Sequence, residues 1–269
     1  EGNIIVNTTD KGTVRLILNN ASISNTTTAP IKVLDAKKVI LTLADNTTNT
    51  ITDSSRLSTE EDYSAAIYSK EDLIINGNGT LNVNAGYRNG IKSTDDCIIV
   101  SGTLNITSTE DGIIGKDLCG IVAGDININA GSDGIKSTYD TDTTKGNVII
   151  EGGNITIKAS NDGIQAENIL VINDGTINIK TNNGAADTTQ THIDNMDMGR
   201  GGFGFNNNKT TTTTDDTSES RKGIKAGNML IINDGDITID SDDDSVHCNS
   251  VIYIYGGTIN AATGDDGVH

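Results

Sequence analysis

Carboxylates and cations recur in this chain at fixed distances from one short phrase, Gly followed by Ile or Val. Asp111, Asp133, Asp162, Asp244 and Asp266 each stand two residues before the aliphatic position, and Lys92, Lys136 and Lys225 each stand one residue after it. If the aliphatic side chain points inward, the residue after it points outward, because side chains alternate along a strand. The outward row then reads Lys32, Tyr68, Lys92, Ile114, Lys136, Gln165, Lys225, His247 and His269. Arg88 and Arg221 fall three residues before their Ile, Tyr63 and Tyr87 fall four before, and Tyr139 lies close by. Such a stripe can hold sugar hydroxyls and carboxylates through charge-assisted bonds and ring contacts, with Lys92, Lys136, Lys225, Arg88, Tyr68, Tyr87 and Tyr139 as the candidate ligand-binding residues. Ordinary ion pairing with the neighbouring acidic rows is the alternative.

Those acidic rows are two. One is the Asp of the phrase itself; the other follows the strand as Glu71, Asp72, Asp95, Asp96, Asp117, Asp140 and Glu167. Carboxylates stacked about 4.8 Å apart repel, so a column of them calls for intervening cations or for splaying into water. Ca²⁺, a hard cation that takes oxygen ligands, fits Asp111, Asp133, Asp162, Asp244, Asp266, Asp95, Asp96, Asp117 and Asp140 as candidate ligands. Turn chemistry also accounts for Asp-Gly, with Gly at positive φ and Asp bonding its own backbone. The Gly-Gly-x-Gly-x-Asp calcium repeat is absent.

These residues must be positioned by the repeat. The aliphatic positions Ile91, Ile113, Ile135, Ile164, Ile224, Val246 and Val268 are separated by 22, 22, 29, 60, 22 and 22 residues, so one 22-residue unit recurs with two expansions. Each unit reads as three short strands with no room for a helix, as in Ile98-Ile99-Val100 and Leu104-Asn105-Ile106-Thr107 after Ile91. Units of this kind bury their apolar faces only by stacking. The pattern predicts an all-β, right-handed, single-stranded parallel β-helix of about 22 residues per coil, occupying 1–269 as one domain. Residues 1–60 are expected to form irregular coils that cap the N-terminal edge. Inserts lie within Thr52 to Ser64, Tyr139 to Gly146 and Asn182 to Arg221; the last, about 182–221, is low in apolar content and expected to be mobile in part. All three flank the strand of the phrase, which suggests a walled groove. A further outward row, Asn82, Asn105, Asn127, Thr156, Asn178, Thr238 and Asn260, looks like a hydrated amide ladder.

Composition narrows the partners. The 269 residues carry a net charge of −18, which disfavours nucleic acid and anionic lipid, and two Phe, six Tyr and no Trp leave Ile, Val and Leu to fill the interior. No stretch of about 20 apolar residues exists to span a membrane. Cys97 and Cys119 are expected to stack in adjacent coils, as a disulfide or as two small hydrophobes, leaving Cys248 unpaired. The chain begins at Glu1, which fits a trimmed secreted product.

The segments Lys38-Val39-Ile40-Leu41-Thr42-Leu43-Ala44-Asp45, Leu73-Ile74-Ile75-Asn76-Gly77-Asn78-Gly79-Thr80-Leu81 and Lys145-Gly146-Asn147-Val148-Ile149-Ile150-Glu151-Gly152-Gly153 resemble those of a bacterial family of secreted carbohydrate-binding β-helix proteins, related in shape to pectate lyases. The resemblance covers nearly the whole chain except the Asn182 to Arg221 insert. It implies binding of plant cell-wall polysaccharide, cellulose or acidic sugars such as polygalacturonate, with Ca²⁺ held near the surface of a secreted or cell-surface monomer. A calcium-dependent polysaccharide lyase is the alternative, with Lys92, Lys136, Lys225, Arg88 or Arg221 as base; a structural adhesin or spacer is the third. On the leading reading, Lys136→Ala weakens binding to an acidic polymer and leaves the melting temperature unchanged.

Overall fold

The computed structural model describes residues 2–10, 12–56, 63–185 and 220–269. Among these, every regular element is a strand, and the strands form three sheets of nine. Each coil gives one strand to each sheet in turn: Asn89–Ser93 to the first, Asp96–Ile99 to the second and Thr103–Ser108 to the third. All three pair in parallel with their equivalents one coil above and below. The chain is a parallel β-solenoid.

Register turns the phrase into a column. Ile67, Ile91, Ile113, Ile135, Ile164, Ile224 and Val246 are successive partners in the first sheet, and each is fully buried. The steps of 29 (164 − 135) and 60 (224 − 164) cross two inserts without loss of register. Most of the 182–221 insert, and residues 57–62 of an earlier one, lie outside the described residues. The first two coils follow the same plan, with Ile4 paired to Ile31 and Ile31 to Ile67 around one bulge at Val6/Asn7. Cys97 and Cys119 are partners in the second sheet, buried and unbonded; Cys248 is also free.

The phrase glycines depart from the turn expected of them. Gly90, Gly112, Gly134, Gly163 and Gly223 are not among the residues with positive φ. Space is the reason instead: a Cβ on Gly112 would lie 2.5 Å from the Gly134 carbonyl oxygen and 2.5 Å from Ile128 Cγ2. The other four meet the same pair of neighbours, a carbonyl of the next coil and an Ile of the third sheet. Two coils that carry a larger residue in the phrase have a smaller third-sheet residue, whereas Pro30 shares its coil with Ile51. Ser245 shares its coil with Ala261, the partner of Ile239, and Ala66 shares its coil with Val83, the partner of Ile106.

The three outer faces differ in chemistry. The third sheet carries the amide ladder, with Asn105 Nδ2 donating to Asn82 Oδ1 at 2.9 Å and Asn127 Nδ2 to Asn105 Oδ1 at 3.1 Å. The second sheet is apolar outward as well as inward: Ile40, Ile74 and Ile98 align, Gly120 interrupts, and Ile149, Val171 and Ile231 continue to exposed Tyr253. The first sheet carries the charges. Gly112→Ala is expected to lower stability by about 1–3 kcal/mol, the usual cost of overpacking an interior, seen as a lower urea midpoint at unchanged slope; an unmoved midpoint would show that the column has slack.

Candidate functional site

The row of aspartates in the phrase forms a ladder between coils. Asp133 N donates to Asp111 Oδ1 at 3.0 Å, Asp162 N to Asp133 Oδ1 at 2.9 Å, Lys222 N to Asp162 Oδ1 at 2.8 Å and Asp266 N to Asp244 Oδ1 at 3.2 Å. Asn89 fills the position at the head of the ladder, its Oδ1 accepting Asp111 N at 3.0 Å. The second carboxylate oxygen meets an ammonium in two coils and an imidazole in a third: Lys136 Nζ lies 2.6 Å from Asp133 Oδ2, Lys225 Nζ 3.4 Å from Asp162 Oδ2 and His247 Nδ1 2.8 Å from Asp244 Oδ2. Burial raises Asp133 and Asp162 above the ordinary carboxylate range, with Lys136 and Lys225 opposing it. Burial alone would raise Asp244 too, but the His247 bond, Lys222, the Asp266 amide and His269 hold it at about 2. A buried carboxylate needs such partners, since an unpaired charge away from water is costly. Asp111, Asp133 and Asp162 therefore have structural partners, and they form no three-residue metal cluster among the described residues.

The outward row is aligned as expected, Lys32, Tyr68, Lys92, Ile114, Lys136, Gln165, Lys225 and His247 being successive partners. Its members differ in what they can offer. Tyr68 and Ile114 are buried, Tyr68 edge-on to Tyr63 with ring centroids 5.5 Å apart. Lys136 and Lys225 serve the Asp ladder, Lys225 also donating to Ser220 Oγ at 3.1 Å. Lys92 instead donates to Ser64 Oγ at 3.2 Å. Burial pulls its ammonium below the ordinary range, Asp111 opposing and Arg88 adding to the fall. Beside it Tyr87 is flanked by two guanidinium groups, Arg56 at 4.5 Å and Arg88 at 5.6 Å from the ring centroid. Arg221, a candidate base, is held by Asp242 at 2.7 Å.

Carboxylates do gather at the corner between the first and second sheets. Asp72, Asp95 and Asp96 offer oxygens all within 4.8 Å of one another. The cause is register: Leu73 and Cys97 are partners, so the residues before them, Asp72 and Asp96, are stacked, and Asp95 is carried in by the turn. Asp95 is raised to about 6, first by burial, then by the charge of Asp72, the hydrogen bond and charge of Asp117, and the charge of Asp96. Asp96 is raised by burial, Asp72 and Asp117, with Lys145 opposing. Asp117 itself is taken by Lys145 Nζ at 2.5 Å. Lys145 also lies 4.9 Å from the Tyr139 ring centroid, and Lys116 sits 4.8 Å from it. Carboxylates, an aromatic ring and two ammonium groups thus meet at one corner. Asp140 and Asp266 lie exposed and apart from this cluster.

Of the partners at this corner, Asp72 stands in the second acidic row read from sequence but outside the candidate ligands, and Lys145 was not singled out there. Asp72 was recognisable, standing in register with Asp96 once the coils are aligned. Lys145 sits in the seven-residue insert, where the 22-residue period gives no coordinate. Sequence reading also passed over the buried pair of Asp53 and Arg56, 2.5 Å apart.

Fold and outer faces together define a parallel β-solenoid that displays charge along one sheet, amides along another and aliphatics along the third. The profile of a family described as carbohydrate-binding domain-containing protein matches residues 1–267. A carbohydrate-binding domain-containing protein of Acetivibrio thermocellus is 36% identical over 110 residues, which is 39% of this chain and 38% of the relative's length. A solved structure, a gadolinium derivative of the polysaccharide lyase-like protein from C. thermocellum, superposes with a TM-score of 0.69 at 26% identity, covering 96% of this chain and 83% of that one. The chain belongs to the carbohydrate-binding domain family.

The ladder revises what is expected of Lys136→Ala. Removing the ammonium leaves Asp133 buried without its cation, so stability should fall by about 1–3 kcal/mol, less than a fully buried pair would lose because Lys136 is 23% exposed. Asp95 gives the opposite sign. Its folded value lies above the unfolded 3.8, so its protonation favours the fold, and stability falls as pH rises from about 4 to about 6 and is then level. In chelator, Asp95→Asn is expected to raise the melting temperature at pH 7.5 and to narrow the gap between pH 5 and 7.5; a lowered value at pH 7.5 would show that the carboxylates attract through an unseen partner.

Proposed function

We propose that this protein binds an acidic plant cell-wall polysaccharide such as polygalacturonate, outside the bacterial cell, through Ca²⁺ held at the Asp72, Asp95 and Asp96 corner. The supporting observation is the gathering of three carboxylates within 4.8 Å of one another, one of which, Asp95, is raised to about 6 by burial first and then by its acidic neighbours Asp72, Asp117 and Asp96. A hard divalent cation would relieve the repulsion among them and remain open to uronate oxygens. Lys116 and Tyr139 beside it can take a carboxylate and a sugar face, and Lys92 with Arg88 and Tyr87 continues the strip one coil earlier. That the related solved structure is a gadolinium derivative is consistent with this, since a trivalent lanthanide and Ca²⁺ share a demand for hard oxygen ligands.

Affinity electrophoresis in gels containing polygalacturonate tests the reading. Retardation is expected with Ca²⁺, lost with chelator, weakened in Lys92→Ala and abolished in Asp95→Asn with Asp96→Asn. It should also fade as pH drops below about 6, where the proton competes with the metal at Asp95. Retardation that survives both chelator and the double variant would overturn the calcium bridge.

One observation favours a second reading, a polysaccharide lyase. Lys92 is the strip lysine whose ammonium burial lowers, and a lowered lysine beside Arg88 suits removal of a proton α to a uronate carboxyl. Growth of ultraviolet absorbance from unsaturated uronates, absent in Lys92→Ala, would establish it. For an uncharged glucan such as cellulose, the stacked Tyr253 and Tyr255 rings, 4° from parallel at the end of the apolar second-sheet face, offer the flat contact.

A further inference from the structure

The charged column changes chemistry at its last members. In the coils of Asp133 and Asp162 the buried carboxylate faces a lysine of the outward row, Lys136 or Lys225. Around Asp244 the row supplies imidazoles instead. His247 Nδ1 lies 2.8 Å from Asp244 Oδ2, and His269 Nδ1, from the next turn of the chain, lies 3.4 Å from the same oxygen and 3.4 Å from Asp266 Oδ2. The two rings are 4.9 Å apart, and Asp244 is buried, its side chain 3% exposed.

The protons do not close around this arrangement as they do around a lysine. His247 Nε2 lies 2.9 Å from Asn249 Oδ1, so both nitrogens of that ring face oxygen. A neutral imidazole has one N–H. With that proton given to Asn249, the Nδ1 lone pair points at a carboxylate oxygen, and a cation belongs between them. A second proton would serve His247 alone; it gives no reason for His269 to turn its Nδ1 to the same oxygen. Lys222 reaches within 3.5 Å of Asp244 Oδ2 but lies closer to Asp243.

We propose that Asp244, His247 and His269 form a binding site for a divalent transition-metal ion of the zinc class, separate from the carboxylate corner. The ligand atoms of the three lie within 4.8 Å of one another. Tetrahedral bonds of about 2.0–2.2 Å require ligand atoms about 3.3–3.6 Å apart, which the His269 to Asp244 distance already meets and the His247 to Asp244 distance reaches by opening about 0.5 Å. Two imidazoles and one carboxylate select zinc, nickel or copper over Ca²⁺, which takes oxygen. With Asn249 Oδ1 accepting from Nε2, His247 would present Nδ1 to the metal, and such a hydrogen bond behind the ring is usual for a ligating histidine. Because Asp244 and His247 belong to one coil and His269 to the next, the ion would tie the two together.

The test uses untagged, metal-stripped protein titrated calorimetrically with Zn²⁺ in saturating Ca²⁺. One equivalent is expected to bind, at least tenfold more weakly in His269→Gln and His247→Gln and not measurably in the double variant. In the wild-type protein, the imidazole C–H resonances of both histidines should shift together at one equivalent, a readout that does not depend on any variant folding. Unchanged binding in the double variant, competition by Ca²⁺, or no shift of either ring would overturn the proposal.

Discussion

A side chain in this solenoid meets its own equivalents about 4.8 Å above and below, so every column must have a chemistry that tolerates repetition. Isoleucine tolerates it by packing, and the interior column is isoleucine throughout apart from Val246. Asparagine tolerates it because the amide both donates and accepts, as the chain from Asn127 through Asn105 to Asn82 shows. Aspartate does not, and the protein deals with it by turning one oxygen to the next coil's amide and the other to an ammonium or an imidazole. Asp72 and Asp96 stack without that arrangement, and burial together with the charge of Asp72 raises Asp96.

The same constraint explains the glycines. The strand of the phrase is pressed between an isoleucine of the third sheet and the carbonyl of the following coil, which leaves no volume for a methyl group. At Ala66 and Ser245 the third-sheet residue of the coil is smaller. Conformational freedom, the usual reason for Asp-Gly, applies to other glycines of this chain, such as Gly102 and Gly124 at the corner between the second and third sheets.

Much of this was legible from the sequence, because a fixed period assigns each residue a column before any coordinate is known. Three strands per unit, parallel stacking, the buried isoleucines, the outward Lys row and the amide ladder all follow from position modulo the repeat. What the period does not carry is the pairing within a column. Nothing in the spacing says that Lys136 folds back on Asp133 while Lys92 does not, or that Tyr68 is covered by Tyr63. Those outcomes depend on loops of unequal length, where Lys145 and Ser64 enter from outside the count. The inward or outward sense of a strand was readable, but the apolar exterior of the second sheet was not, since a run such as Ile169-Leu170-Val171-Ile172 reads simply as buried.

Register survives segments of very different length between Ile135, Ile164 and Ile224. The coils are therefore indifferent to what is spliced between them, and the molecule is modular in two independent ways. Whole coils can be added or deleted, lengthening or shortening each exterior face by one increment while leaving its pattern intact. Loops can be exchanged without disturbing that pattern. A lineage built on this plan can thus adjust the reach of its surface separately from the loops that join its coils.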